Sequence, residues 1–397
     1  MRNHVPIIIE IRNYPAKNGD AFLVKTTNGS FAMLIDGGYA ETFQQYIRAD
    51  LISLAASGYK LDLVVATHID ADHISGLLSF FRLNGQADAP AIIPVREVLH
   101  NSLRCLANPL KDKDALRPDD LTLLRDIRLR GYPLPSSTVN VEQEISARQG
   151  ASLAQLLRDG GYQWNTLDGT LSIGGDGLNG LNLPQVKIKI LGPNKRRLET
   201  LKKWWVREIR RLGMVGSIDY LDDVFEFLCA HEVVDPGEQM LASADVDLAQ
   251  DHLPDNSVTN GSSISLIVEI EERRLLFLGD AWAEDIIAAL RPNGPTVFDA
   301  IKIAHHGSAR NTSPELLTLV DSPHFFISTN GERHQHPDFS VLKAIVDRPT
   351  TFHRTLHFNY STPASRRLKS YRSKSSAEFS VDEDQTSWVP LSTRSAP

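Results

Sequence analysis

Thr67-His68-Ile69-Asp70-Ala71-Asp72-His73-Ile74 is the stretch on which the reading of this chain turns. Four groups able to bind a metal ion, His68, Asp70, Asp72 and His73, fall within six residues. The residues just before them, 61–66, are short, apolar and β-branched, the composition of a buried strand. Just after them Ile74, Leu77, Leu78 and Phe81 recur at helical spacing and predict a helix with one apolar face. The four groups therefore fall on a turn between a strand end and a helix start, where rigid backbone lets neighbouring side chains converge. Neutral imidazoles with carboxylates suit zinc or manganese, and this many ligands would serve two ions. A polar helix cap would explain Asp70 or Asp72 alone, but not two aspartates and two histidines together.

Size and composition narrow the class. A chain of 397 residues suits one large α/β unit with insertions. It is 42% hydrophobic and 23% charged, enough apolar material for a sizeable core and an ordinary charge content. The net charge of −7 excludes a molecule that binds polyanions over its whole surface, so any nucleic-acid contact needs a local basic patch. Two cysteines, Cys105 and Cys229, exclude a disulfide framework and a cysteine-built metal site. No apolar run approaches the ~18 residues of a membrane span. The N-terminus lacks a basic segment followed by an apolar signal core. The expectation is a cytoplasmic protein with no membrane contact.

Working outward, strands are predicted at 7–11, 21–25 and 31–35, the last two joined by the hairpin signal Asn28-Gly29. The third runs into Asp36-Gly37-Gly38, a tight turn. Phe43, Ile47, Leu51, Leu54 and Ala55 form a helix stripe that Gly58 ends. From about 96 to 182 the pattern weakens into Pro- and Gly-rich loops with helical pieces such as 153–158, and this stretch reads as an insertion. A strand at 186–191 follows, and then a helix over 195–211. One face of that helix carries Leu198, Leu201, Trp205, Ile209 and Leu212, while Arg196, Lys203, Arg207, Arg210 and Arg211 lie largely away from it. The basic side is either a solvated face or a phosphate contact, with Trp204 placed for stacking. A second insertion spans about 195–255, and its acidic end, 232–255, reads as a mobile loop.

Strands return at 264–270, 275–278, 300–304 and 325–328. They run into Gly279-Asp280, into His305-His306-Gly307-Ser308, and into Thr329-Asn330-Gly331 with His334, His336 and Pro337 close behind. Residues 1–360 are read as one domain, and 361–397 as a basic, then polar, poorly ordered tail. Its basic run, 366–374, offers further phosphate contacts.

Several strands thus end in metal-binding chemistry: Asp36, His68 to His73, Asp280, and the pair His305 and His306. Strand ends on one edge of a sheet face a common crevice, where α/β proteins place their sites. The order Asp-Gly-Gly, His-x-Asp-x-Asp-His, Phe-Leu-Gly-Asp and His-His-Gly-Ser resembles the metallo-β-lactamase fold superfamily. Within it the chain is most similar to the hydrolase domain of the DNA-uptake protein ComEC and its stand-alone relatives. Four details carry that finer likeness: Gly19-Asp20-Ala21 before the second strand, Asp70 in place of the usual histidine, Asn260 to Ser263 where others place a further histidine, and His336-Pro337 after the last core strand.

The resemblance implies an α/β (α+β) chain folded as an αββα sandwich, two mixed β-sheets with flanking helices and helical insertions. It implies two divalent ions, zinc or manganese. His68 and Asp70 would hold the first; Asp72, His73 and one of His305 and His306, with His305 favoured, would hold the second; Asp280 would bridge them. The missing histidine makes the first site the weaker one. Asp36 would orient the ligand turn. The implied activity is a hydrolase using a metal-activated hydroxide, steadied by Asp72, with His336 as proton donor and Ser308 and Asn330 touching substrate. DNA or another phosphodiester is the expected substrate, bound in part by Arg207, Arg210 and Arg211. The alternatives are a small-molecule hydrolase of a phosphoryl ester, cyclic nucleotide or lactone, or a subunit with a structural metal whose insertions engage a protein partner.

Overall fold

The computed structural model describes residues 7–106, 153–211, 253–333 and 335–391, with side chains of the 153–211 stretch described through 207. Two large sheets dominate it. The first contains β1 (Ile9–Asn13), β2 (Phe22–Thr26), β3 (Ala32–Ile35), β4 (Leu63–Val65) and β5 (Val98–Leu99). The second contains β6 (Gly180–Leu183), β7 (Val186–Gly192), β8 (Ser265–Ile270) and β9 (Arg273–Phe277). A short ladder joins β10 (Thr296–Val297) to β12 (Val320–Asp321). The second sheet continues with β11 (Ala300–Lys302), β13 (His324–Ile327), β14 (Arg354–Phe358) and β15 (Phe379–Asp382), and β16 (Val389–Leu391) returns to the first. The strand orders are β16-β1-β2-β3-β4-β5 and β15-β14-β13-β11-β9-β8-β7-β6.

Side-chain alternation explains why the sheets stack. Along β3, Met33 and Ile35 point between the sheets, while Ala32 and Leu34 pack outward against helices. Along β4, Leu63 and Val65 point inward and Val64 outward. Phe22 of the first sheet meets Phe277 and Phe326 of the second at ring separations of 6.0 and 6.2 Å. The outer face of the first sheet packs under the helices Arg48–Ala56 and Ala71–Asn84 through Leu51, Leu54, Leu77, Phe80 and Phe81. The outer face of the second packs under Ala283–Leu290 and Phe339–Val346 through Ile286, Ile287, Val341, Leu342 and Ile345. The result is the expected αββα sandwich of two mixed sheets. Among the described residues no helix is long and apolar enough to cross a membrane.

Two expectations about organisation are corrected, and a third falls almost wholly outside the described residues. The poorly ordered tail is built into the fold: the helix Pro363–Lys369 packs on Phe339–Val346, β15 extends the second sheet, and β16 pairs with β1. Its residues looked polar because edge strands show only alternate residues to the core, and Val389 and Leu391 supply that contact. The expected insertion at 96–182 starts and ends inside the sandwich. Val98 and Leu99 pair with β4, Leu153–Asp159 packs on Ala71–Asn84, and β6 forms a sheet edge. The acidic stretch 232–255 ends in a buried, hydrogen-bonded Asp255; the part before 253 lies outside the described residues.

The topology positions the site. β3 and β4 run parallel, as do β9, β11 and β13, so their C-terminal ends emerge together along one edge of each sheet. The Ile264 amide donates to the Thr67 carbonyl at 2.8 Å, tying the two edges together at the ligand turn.

Candidate metal centre

Asp280, just beyond β9, is the hub. Its Oδ2 lies 3.9 Å from His68 Nε2, 3.5 Å from His73 Nε2, 3.8 Å from His305 Nε2 and 3.5 Å from His306 Nε2. All five side chains are buried. His68 and His73 come from the turn after β4, and His305 and His306 from the turn after β11. That second turn holds two non-glycine residues at positive φ, 44° at His305 and 55° at His306. Left-handed backbone at two successive bulky residues is costly, and here it aims both rings at Asp280.

The outer nitrogen of each ring is held by an acceptor. His73 Nδ1 lies 2.8 Å from Asp36 Oδ2. His306 Nδ1 lies 2.8 Å from the Ser328 carbonyl. His68 Nδ1 faces Thr67 Oγ1 at 3.1 Å, and that hydroxyl donates its own proton to Asp36. His305 Nδ1 lies 2.8 Å from Asn311 Oδ1, while the Asn311 amide nitrogen donates to Asp255 and to the Asp280 carbonyl. In each case the outer Nδ1 is engaged, which aims the Nε2 of each ring at Asp280 as the nitrogen available to a metal. Nε2 of His68 and of His73 is buried with no hydrogen-bond partner among the described residues.

Four imidazole nitrogens around a buried carboxylate call for positive charge, carried by protons on the rings or by a bound cation. Burial opposes charge on His73, but Asp280 and Asp36 overcome it and raise its pKa well above the ordinary imidazole value. Burial likewise raises Asp280, yet His306, His73 and His305 hold it well below the usual carboxylate range. A divalent ion between these groups meets the same electrostatic demand, and the donor set of imidazole and carboxylate suits one.

The remaining expected residues divide. Asp72 falls with His73 and His306 in a group whose ligand atoms lie within 4.8 Å of one another. His305, the histidine favoured for that group, instead groups with Asp280 and His306. Asn18 donates to Asp72 Oδ2 at 2.7 Å, and Tyr39 donates to Asn18 Oδ1 at 3.1 Å. Asp70 sits 3.5 Å from His68 Nε2 and accepts from Thr259 at 3.1 Å. Asn260 donates to Asp255 at 2.9 Å. His336 is beside the cluster, its ring 5.5 Å from that of His305 and its Nδ1 3.4 Å from Asp338 Oδ2. Burial lowers its pKa, so it is neutral near pH 7. Ser308 is buried and accepts from the Arg310 amide at 3.2 Å. Asn330 donates to Glu332 at 2.9 Å. Arg207 lies exposed on the basic helix, whereas the side chains of Arg210 and Arg211 lie outside the described residues.

Some partners were not singled out in the sequence. Lys302 is buried, with its ammonium ion-paired to Asp20, 2.9 Å from the Gly279 carbonyl and 3.5 Å from Asp280 Oδ1. Burial would raise the Asp20 carboxyl, but Lys302 and His306 lower it to about 2. A lysine inside the apolar run 300–304 was the available signal. Nothing in the sequence marked Asn311 or Asp255.

Two glycines let these loops approach. A Cβ on Gly76 would lie 1.9 Å from the Gly37 carbonyl oxygen, and one on Gly19 would lie 1.9 Å from the Asp72 carbonyl oxygen. The close packing seats Asp36 under His73 and the Asp20 loop against Asp72.

Residues 14–141 match the family model described as Metallo-beta-lactamase superfamily. No curated protein matches the chain. Among solved structures, the metallo-beta-lactamase fold protein YhfI from Bacillus subtilis aligns at 9% identity and a TM-score of 0.37, over 96% of this chain and 99% of that one. Zn(2+)-bound PqqB from Methylobacterium extorquens aligns at 10% identity and a TM-score of 0.36, over 97% of this chain and 100% of that one. A CmlA beta-hydroxylase mutant aligns at 11% identity and a TM-score of 0.35, over 98% of this chain and 54% of that one. At such scores none of the three bears on the chemistry. The match over 14–141 and the two mixed sheets with their helical layers are consistent with the metallo-β-lactamase fold.

Proposed function

We propose that this protein is a metal-dependent phosphodiesterase acting on DNA. The observation that carries a metal-dependent hydrolase is the convergence of four imidazole Nε2 atoms on Asp280. His68, Asp70 and Asp280 would hold one ion, and Asp72, His73, His306 and Asp280 the other. Asp36 holds His73 in the ligating tautomer through its Nδ1 contact. Divalent ions bound there supply positive charge that polarises an ester oxygen and lowers the pKa of water. Neutral His336, its Nδ1–H turned toward Asp338, takes up a proton before it can deliver one to a leaving group.

The substrate reading rests on the basic helix. Arg196, Lys203 and Arg207 are exposed on Lys195–Arg211, whose Leu201 and Trp205 are buried in the core. This helix packs on Val258–Gly261, the segment whose Thr259 reaches Asp70. Phosphates held along it would lie beside the metal centre. The ComEC-like resemblance supports the same substrate.

The test is hydrolysis of bis-p-nitrophenyl phosphate and of linear and circular DNA, metal-free and with Mn²⁺ or Zn²⁺, beside Asp72→Ala/His73→Ala. Cleavage of both substrates that needs metal and is lost in the variant is the expected result. Turnover of the small ester without DNA cleavage would replace the DNA reading with a small-molecule hydrolase. No turnover by folded, metal-loaded protein would overturn the hydrolase reading.

A further inference from the structure

The basic run 366–374 folds into a cleft that the metal centre does not use. The helix Phe339–Val346 begins three residues after His336, with Asp338 as its N-cap. Lys343 follows Phe339 by four residues, so both lie on one face of the helix. The helix Pro363–Lys369 packs across it and brings Arg367 over the Phe339 ring, 4.0 Å from its centroid. Lys343 Nζ is 5.8 Å from the centroid of the same ring, and Tyr371 meets that ring edge-on at 5.8 Å. Between these groups lies a cavity of about 420 Å³ lined by Phe339, Lys343, Arg367, Ser370, Tyr371 and Lys374.

Three cations and no carboxylate line that cavity among the described residues. One carboxylate, Asp347, borders the cavity without lining it. Asp347 accepts from the Tyr371 hydroxyl and from the Lys374 backbone amide, both at 2.9 Å. Glu383 pairs with Lys369 and accepts from Ser361 at 3.1 Å. On a chain of net charge −7 this local excess of positive charge is the kind of patch a polyanion requires.

We propose that the cleft between Phe339–Val346 and Pro363–Lys369 is a second binding site, taking the phosphate backbone of a nucleic acid whose reacting linkage lies at the metal centre. The inference rests on the phosphodiesterase reading and deepens it. The helix Phe339–Val346 is about 12 Å long at 1.5 Å per residue, so Lys343 stands only a few nucleotides of extended backbone from the loop that carries His336. Phosphates leaving the centre past His336 would meet Phe339 first, then Arg367 and Lys343.

The experiment measures binding of a fluorescein-labelled single strand of about 20 nucleotides by anisotropy between about 50 and 200 mM salt. It uses the full chain, Lys343→Gln/Lys374→Gln, and a control of equal charge change on other surfaces, Lys60→Gln/Lys187→Gln. The double variant keeps Arg367 on Phe339, and thermal melting checks that it is folded. The expected result is about a tenfold weaker affinity for Lys343→Gln/Lys374→Gln and a salt slope smaller by about 1.4, about 0.7 for each lost phosphate contact on a single strand, with little change in the control. Its hydrolysis of bis-p-nitrophenyl phosphate should match the unaltered protein. Equal binding by variant and unaltered protein, or no binding by the unaltered protein, would overturn the cleft. Cleft-dependent binding without turnover of any phosphodiester would sink the phosphodiesterase reading and leave the cleft standing. Turnover of DNA indifferent to Lys343 and Lys374 would do the reverse.

Discussion

Asp36 Oδ2 lies 2.8 Å from Nδ1 of His73, joining the end of β3 to the first turn of the helix Ala71–Asn84. The same carboxylate accepts from the Thr67 amide and hydroxyl at 2.8 and 2.7 Å. One buried group thus sets the tautomer of His73 and, through Thr67, that of His68. In Asp36→Asn the carboxamide would leave a weaker acceptor or a donor facing His73. Metal affinity, read by competition with a chromophoric chelator, should fall about 10- to 100-fold. Unchanged affinity would show that the orientation of His73 does not depend on Asp36.

Asp280 joins both halves of the centre. Asp280→Asn removes the charge around which four imidazoles gather, so metal content measured by atomic emission should fall at both positions together. Loss at one position alone would contradict its place as the common ligand.

The Asp20–Lys302 pair is buried beside the centre. Breaking it from either side leaves an uncompensated buried charge, and Asp20→Asn or Lys302→Met should each destabilise the fold by about 3–5 kcal/mol in urea titration. The double variant should recover part of that loss, because no lone charge remains. Additive losses would mean that the two residues act independently.

Acid should weaken the second sheet through His357. Burial first, then neighbouring His324, depresses its pKa from 6.5 to about 3, and Asp382, 3.1 Å from Nδ1 but half exposed, does not offset this. The unfolded chain binds a proton at higher pH than the folded one. The contribution of neutral His357 is therefore complete above about pH 6.5 and is lost as the pH falls toward about 3, by up to about 1.4 kcal/mol per pH unit. Melting curves of the protein and of His357→Gln between these limits check the slope, which should be shallower in the variant.

Gly76→Ala should disrupt the centre without touching a ligand. The added carbon would sit 1.9 Å from the Gly37 carbonyl oxygen, so either the Asp36 loop or the helix must move. A loss of about 1–3 kcal/mol in urea titration, with weaker metal binding, is expected.

Much of the architecture could be read from local pattern. The strand before His68 and the helix after it lie where the apolar β-branched run and helical spacing put them, the helix three residues longer at each end than its apolar stripe. Asp36, Asp280, His305 and His306 were marked by their places at strand ends. Less legible were the edge strands β5, β6, β15 and β16, which are short and show the core only alternate side chains. Pairing with a neighbour, rather than their own pattern, makes them strands.

The amino-acid sequence by itself marked most strands and helices and the metal-binding side chains at the strand ends, because hydrophobic period and side-chain chemistry are local properties of the chain. Tertiary structure alone decided that His306 rather than His305 joins Asp72 and His73, since the left-handed turn after β11 sets where each ring points. It decided that Asn311 and Asp255, distant in sequence, hold His305 in place. It also placed Lys302 against Asp20 and Asp280, a contact between residues far apart along the chain that exists only once the two sheets have stacked.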